Sequence, residues 1–267
     1  MLGFLTVIPI RLKYKATDED YGKGLVYAPL VGIIIGAIVA LAGFTTHILL
    51  NFESPPVMAA VTVLLYILLT GGLHLDGLGD TFDGLFSGRS KERILEIMRD
   101  SRVGTNAVLA LICVILLNYS LFLHAFSMFG PEKTAILILL FPVAGRMGSL
   151  AASGSSGYAR TGPGLGKSFI DNCTYREILL GSIGYFASFL IGFGILMPMT
   201  PAGSLMAPTG LPSALIGLIL SMTTVCAAFL LTFILRRKIG GVTGDVLGAV
   251  CELNQTIYLL SAVLLMR

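Results

Sequence analysis

Long stretches free of Asp, Glu, Lys and Arg alternate with short polar segments along this chain. A helix needs about 20 apolar residues to cross a hydrocarbon core about 30 Å thick, and most of these stretches reach that length. The run 178–235 is too long for one helix, and the prolines between 198 and 212 divide it. The pattern predicts seven transmembrane helices, at about 24–52, 54–75, 103–131, 134–152 (which includes Arg146), 178–197, 213–235 and 247–266.

One polar segment, SGRSKERILEIMRDSRVG, has a helical period of its own. Ser90 can cap a helix whose residues Ile94, Leu95, Ile97 and Met98 lie on one side, with charged residues on the other. This arrangement predicts a short amphipathic helix on the membrane surface.

The composition supports a membrane protein. Of 267 residues, 55% are hydrophobic and only 12% are charged, and the mean hydropathy is +0.88, whereas about a quarter of the residues of soluble domains carry charge. The four cysteines lack CxxC spacing, which argues against zinc, redox chemistry and a disulfide scaffold. We predict an all-α, polytopic integral membrane protein with one catalytic domain over residues 1–267, partnered by the lipid bilayer and by no nucleic acid.

The basic residues alternate between the two sides of the predicted membrane. Four lie in the N-terminal segment, five in the 76–102 loop, and three each in the 153–177 and 236–248 loops, whereas the loops between them have one at most. Because cytoplasmic loops are enriched in Lys and Arg, we expect the N-terminus inside and the C-terminus outside. The unusual polar segments would then all face the cytoplasm, and any chemistry would take place at the inner face of the cell membrane.

Three aspartates lie in the stretch GGLHLDGLGDTFDGL, after the second predicted span. Asp76, Asp80 and Asp83 are spaced i, i+4, i+7, so a helix that continues past His74 projects all three carboxylates from one face. Close like charges repel unless a cation lies among them, and oxygen ligands favour hard ions such as Mg²⁺, Mn²⁺ or Ca²⁺. The glycines of this stretch are poor helix formers and are interpreted as room for a ligand. The alternative is a solvated helix end whose aspartates cap the next segment.

Other ionisable groups lie near the same predicted face. Arg99 and Arg102 suit phosphate and Asp100 could complete a metal shell, although anchoring at the membrane surface is an equal alternative for the two arginines. Arg146 and Glu252 lie within spans, where charge is costly and a functional or paired role is the default. A structural ion pair is the alternative for both.

Two glycine-rich segments complete the candidate site. GYARTGPGLGKSF is not a P-loop, because Thr161 stands where that motif needs glycine. It is either a flexible loop or a basic loop for an anionic or aromatic ligand, whose candidate residues are Tyr158, Arg160 and Lys167. In GGVTGDVLGAVCE, Asp245 can cap the last helix, bind metal, or do both.

These motifs, taken in order, resemble one enzyme family. The strings GGLHLDGLGDTFDG and RSKERILEIMRDSRVGT, then YAR before GLG and TGD before LGA, are similar to those of cobalamin synthases, the adenosylcobinamide-GDP ribazoletransferases. The likeness covers nearly the whole chain. It implies a Mg²⁺-dependent enzyme of the cytoplasmic membrane that joins α-ribazole or its 5′-phosphate to adenosylcobinamide-GDP and releases GMP, late in cobalamin synthesis.

The resemblance also implies which residues form the site. The positions that match the family's motifs are His74, Asp76, Asp80, Asp83, Arg99, Asp100, Arg102, Arg146, Tyr158, Arg160, Thr243, Asp245 and Glu252, whereas Lys167 has no clear counterpart. Our hypothesis is that the aspartates hold one or two Mg²⁺ ions, with His74 or an aspartate as general base. Arginines, including Arg146, would stabilise charge on the departing GMP, and Thr243 and Glu252 would contact substrate.

Two other classes of membrane protein are weaker alternatives. A phosphotransferase acting on CDP-activated alcohols would need an alanine-arginine pair a few residues after Asp76 and Gly77, and this chain has none at that spacing. A transporter would place its ionisable residues near the bilayer midplane. Gly32 and Gly36 offer a small-residue surface within or between subunits, which leaves a homo-oligomer open.

Overall fold

The structure, a computed structural model, describes residues 1–10, 16–50, 54–199 and 210–266, which contain no β-strand. The α-helices are α1 (Leu2–Leu5), α2 (Asp18–Gly24), α3 (Ala28–Leu50), α4 (Pro55–Thr70), α5 (Leu73–Leu85), α6 (Lys91–Ile97), α7 (Thr105–Gly154), α8 (Leu165–Asp171), α9 (Tyr175–Ile191), α10 (Ser213–Ile239) and α11 (Gly244–Leu265). A 3₁₀ turn, Leu25–Tyr27, joins α2 to α3, and the π-helical turn Gly192–Leu196 and the 3₁₀ turn Met197–Met199 extend α9. The all-α, polytopic architecture is therefore confirmed.

The described helices include five that are long and apolar enough to cross a membrane, or six if α4 and α5 form one bent span. The 50 residues of α7 are two helices joined at Gly130, whose φ of 77° is not helical. This break falls where the sequence predicts the end of the third span, and counting two spans there would give seven, a number that stays a prediction. The basic residues 11–15, the prolines at 201 and 208 and Arg267 lie outside the described residues.

The second predicted span does not continue into the aspartate motif. Gly71 and Gly72 both adopt left-handed backbone, with φ of 63° and 69°, and α4 and α5 meet at 90°. Glycine adopts this conformation without the clash that a Cβ would cause. The predicted helix 54–75 is therefore wrong at its end, since α4 ends at Thr70 and the aspartates belong to a separate helix.

Helix α5 lies against α11, the most buried of the candidate spans. A Cβ on Gly77 would come within 2.7 Å of the Asp245 carbonyl oxygen, and one on Gly248 within 3.0 Å of the His74 oxygen. A Cβ on Gly84 would come within 2.5 Å of Cγ of Met98, at the end of α6. Gly77 and Gly84 therefore allow close helix packing, but Gly77 also borders a cavity beside Asp76, so the interpretation of the motif's glycines as room for a ligand stays a prediction.

The structure also describes the predicted amphipathic helix after Ser90 and the small-residue surface of the first long helix. Helix α6 follows Ser90 as predicted and buries Ile94, although the Ser90 side chain makes no capping hydrogen bond. Gly32, on α3, packs against α7, where a Cβ would lie 2.7 Å from Cα of Val143. This small-residue surface therefore serves contact within the chain, and the oligomeric state stays open.

Candidate active site

Four carboxylates gather where α5 crosses the start of α11. Asp80 interacts electrostatically with Asp76 and Asp83 on its own helix, with Asp245 at the first turn of α11, and with one cation, Arg160. The sequence spacing predicted that Asp76, Asp80 and Asp83 form a group, and the crossing of α5 and α11 adds Asp245. All the possible metal ligands in this group are carboxylate oxygens. Four carboxylates carry more negative charge than Arg160 can neutralise, so the group suits a hard divalent cation.

A short backbone bridge brings Arg160 to this cluster. Tyr158 and Val242 form an isolated parallel bridge, in which Ala159 N donates to Val242 O at 2.9 Å. The guanidinium of Arg160 then donates to Oδ2 of Asp245 at 2.8 Å. These contacts fix the loop after α7 against the start of α11 and position Arg160 beside Asp245.

Asp83 is committed to a structural contact. Its Oδ2 accepts a hydrogen bond from Gly104 N at 2.6 Å and its Oδ1 accepts one from Ala107 N at 2.8 Å. These are amide groups at the start of α7 that would otherwise lack partners. The capping alternative is therefore the observed role of Asp83, and metal binding by it stays a prediction.

We expect Asp83→Ala to lower the free energy of unfolding by about 1–2 kcal/mol, because an N-terminal cap of α7 is lost. Unfolding in mixed detergent micelles measures the change. Asp76→Ala is the matched control, since the Asp76 carboxylate makes no hydrogen bond to a described residue. Equal stability of the two variants would show that the contact with α7 contributes nothing.

Asp100 is held by an arginine rather than by the other carboxylates. Arg102 donates to it through Nε at 3.0 Å and Nη2 at 2.6 Å, and these bonds hold the pKa of Asp100 at about 2. Both residues, like Arg99, lie in the loop between α6 and α7, where the arginine side chains are exposed. The prediction that Asp100 completes the metal shell is not supported by this pairing, whereas the two exposed arginines are accessible to an anion.

Arg146 and Glu252 lie in a buried hydrogen-bond network of their own. Arg146, which is fully buried, donates from Nη1 to Tyr66 Oη at 3.0 Å, and Tyr66 donates to Glu252 Oε1 at 2.9 Å. Gln255 donates to the other oxygen of Glu252. A network that links α4, α7 and α11 encloses both side chains, so contact of Arg146 with departing GMP and of Glu252 with substrate stays a prediction.

Three further predicted residues have structural contacts. Thr243 is fully buried and caps α11, where its side chain accepts a hydrogen bond from Val246 N. It is therefore this threonine, not Asp245, that caps the last helix. Lys167 is half exposed on α8 and lies 3.9 Å from Asp171. The Tyr158 hydroxyl lies close to Gly164, so this ring packs on its own loop. Substrate contact by these residues stays a prediction.

A cavity of about 230 Å³, which we call the α5–α11 cavity, opens beside Asp76 and Asp245. His74 and Ser149 contribute the other polar side chains of its wall. The remaining side chains are apolar and come from α1, α5, α8, α11 and the turn before α3, namely Phe4, Leu5, Leu25, Leu73, Leu165, Phe169 and Leu247. The sequence gives no signal for this wall, because its members are ordinary core residues far apart in the chain.

A second set of possible metal ligands is less suitable. Ligand atoms of His74, Cys251 and Glu252 lie within 4.8 Å of one another, and all three residues are buried. Both oxygens of Glu252 already accept hydrogen bonds, and the positive charge of Arg146 acts on all three groups. A hard cation is therefore better accommodated by the aspartates than by this set.

Known proteins resemble this chain over nearly its whole length. A family model described as cobalamin-5-phosphate synthase matches residues 1–263. The chain is 51% identical to a protein of Acetivibrio thermocellus named adenosylcobinamide-GDP ribazoletransferase, over 97% of this chain and 94% of that one. Proteins with the same name from Clostridium acetobutylicum and Escherichia coli are 49% and 36% identical, over 98% of this chain and 93% and 96% of their own.

No solved structure is significantly similar to the chain. The family assignment thus rests on sequence, and the match leaves only the last few residues uncovered. With half of its residues identical to two relatives of one name, the chain belongs to the cobalamin-5-phosphate synthase family and is a transferase of cobalamin synthesis.

Proposed function

We propose that the chain joins α-ribazole or its 5′-phosphate to adenosylcobinamide-GDP and releases GMP, in a Mg²⁺-dependent reaction at the cytoplasmic face of the cell membrane. A ribose hydroxyl of the acceptor attacks the phosphorus attached to cobinamide. The bond from this phosphorus to the GMP oxygen breaks, and the hydroxyl proton passes to a base. The observation that carries this proposal is the carboxylate cluster beside a cavity in a chain whose relatives are named for the reaction.

Phosphoryl transfer depends mainly on positioning and on neutralising charge. Mg²⁺ held by Asp80 and Asp245 would neutralise the oxygens of the diphosphate, which leaves the Asp76 carboxylate for another role. Arg160 lies among these carboxylates and also donates to Met98 O at 3.3 Å, next to the exposed Arg99, which can bind phosphate.

The acceptor proton needs a base near the same phosphorus. Asp76 suits this role best, since its carboxylate lines the cavity and makes no hydrogen bond to a described residue. Asp245 is less available because it is paired with Arg160 at 2.8 Å.

We expect the full-length chain in proteoliposomes to convert adenosylcobinamide-GDP and α-ribazole to GMP and a cobalamin product, identified by mass. EDTA should stop GMP release and added Mg²⁺ should restore it, because carboxylate ligands alone cannot neutralise the diphosphate. The 5′-phosphate tested in parallel identifies the preferred acceptor. GMP release that is unaffected by EDTA would refute the role of the metal, and no product with either acceptor would refute the function.

A further inference from the structure

The inner wall of the α5–α11 cavity has the character of a site for a flat apolar ring. Leu5, Leu25 and Phe169 are only 4–5% exposed, and the rings of Phe4 and Phe169 lie 4.9 Å apart at 37°. Asp76 and Asp245 line the same cavity, so one bound molecule can contact both apolar and carboxylate surfaces. Aromatic side chains favour such contact with another ring, in stacked or edge geometry.

The wall offers little hydrogen bonding beyond its carboxylates. Its other polar side chains are Ser149 and His74. The Ser149 hydroxyl already donates to Leu247 O at 3.1 Å. His74 is 7% exposed, and its Nδ1 is buried with no hydrogen-bond partner among the described residues. That nitrogen has no exposed surface and is closed to a ligand, so a hydrogen bond to a bound molecule falls to Nε2, which makes no hydrogen bond to a described residue.

The ring systems of the two proposed substrates differ in their fit to this wall. A corrin macrocycle is several times larger than a bicyclic base and exceeds a cavity of about 230 Å³. Guanine could donate to Asp76 or Asp245, but its O6 and N7 acceptors would need two donors, and His74 alone among the described wall residues has a side-chain N–H that is not already used. The dimethylbenzimidazole of α-ribazole has apolar edges and a single free acceptor, its imine nitrogen, and His74 is the one unpaired group on the wall that can donate to it.

We propose that the α5–α11 cavity binds the benzimidazole base of α-ribazole, with the His74 imidazole donating a hydrogen bond to the imine nitrogen. This assignment rests on the proposed function and deepens it. The ribose then extends toward Asp76 and Asp245, where its hydroxyl meets the diphosphate. His74 is thereby a specificity residue rather than the general base, a role that the sequence had left open between it and an aspartate.

Narrowing the cavity tests the site. Leu165 lies on its wall but is 46% exposed, so Leu165→Trp can be accommodated without disturbing the core. We expect this variant to raise the KM for α-ribazole about tenfold, the effect of losing about 1.4 kcal/mol of binding, and to leave the KM for adenosylcobinamide-GDP unchanged. Leu179→Trp, at an exposed position on α9 outside the cavity, should change neither value. An unchanged KM for α-ribazole in Leu165→Trp overturns the assignment.

His74→Phe tests the hydrogen bond. We expect the KM for α-ribazole to rise about tenfold, because the imine nitrogen loses its donor, while kcat and its pH profile stay as in the original chain. A fall in kcat with loss of one limb of the pH profile would instead make His74 the base. Either that result or an unchanged KM overturns the assignment.

Binding without turnover separates this proposal from the proposed function. Saturation-transfer NMR on the full chain in nanodiscs, with α-ribazole and no corrinoid, should transfer more magnetisation to the base protons than to the ribose protons. Leu165→Trp should weaken the transfer. Stronger transfer to ribose overturns the cavity assignment, even if GMP release is normal. An absence of GMP release alongside normal base contact would instead count against the function.

Discussion

Replacing Asp80 with asparagine should lower kcat for GMP release by about a thousandfold at saturating substrates, the range seen when one group that stabilises transition-state charge is lost. Asp80 is the carboxylate that interacts with the other three of the cluster, so the substitution would remove the central member of the proposed Mg²⁺ site. Proteoliposomes supplied with Mg²⁺, adenosylcobinamide-GDP and α-ribazole allow the rate to be measured directly. Near-normal turnover would refute the metal-site proposal.

A stability measurement distinguishes this effect from misfolding. Four carboxylates near one arginine repel one another when no cation is bound. Asp80→Asn should therefore unfold no earlier than the original chain in EDTA, and loss of its charge is expected to stabilise the fold slightly. Asp171→Asn is the matched control, because Asp171 is an exposed carboxylate on α8 whose nearest cation, Lys167, is 3.9 Å away. That variant should retain turnover.

The sequence predicts the helices well because the bilayer imposes a simple rule. A charged side chain is costly in hydrocarbon, so the absence of charge marks where helices can cross. The break between α4 and α5 escapes this rule, since Gly71 and Gly72 are as uncharged as the span before them. Two adjacent glycines mark a possible break, but only packing of α5 against α11 decides that the chain turns there by 90°.

The sequence predicts which candidate site residues share a helix face, but it does not predict which hydrogen-bond partner each side chain has after folding. The i, i+4, i+7 period groups Asp76, Asp80 and Asp83, but it cannot show that Asp83 caps a helix that begins more than 20 residues later. Asp100 is also an aspartate and lies only 17 positions after Asp83, yet its carboxylate accepts hydrogen bonds from Arg102 and from no other side chain of the described residues. Each of these outcomes depends on which donor lies within hydrogen-bond distance after folding.

The buried network is an example of such pairing over long sequence separation. Tyr66 and Glu252 are 186 positions apart, and only helix packing brings them together. Gln255 follows Glu252 by one helical turn, which is the one local signal of their contact. The structural alternative for Arg146 and Glu252 was open from the sequence, and the geometry favours it over direct contact with substrate.

Arg146→Met should destabilise the protein by about 3–5 kcal/mol, because Glu252 then stays buried without its positive neighbour. Arg146 is fully buried and Glu252 is 1% exposed, so water cannot compensate either charge. The midpoint of unfolding in mixed micelles with increasing SDS measures the loss. Arg176→Met, which removes an exposed arginine on α9, should leave this midpoint unchanged.

The double variant Arg146→Met with Glu252→Leu shows whether the loss of stability comes from the unpaired charge of Glu252. Removing both charges leaves no uncompensated ion in the core, and such replacements are often close to neutral. We therefore expect the double variant to be more stable than Arg146→Met alone. If the two variants are equally unstable, the loss arises from packing around residue 146 and not from the charge of Glu252. If Arg146→Met keeps its stability but loses GMP release, Arg146 acts on the substrate after all, through an opening of the network that this conformation does not contain.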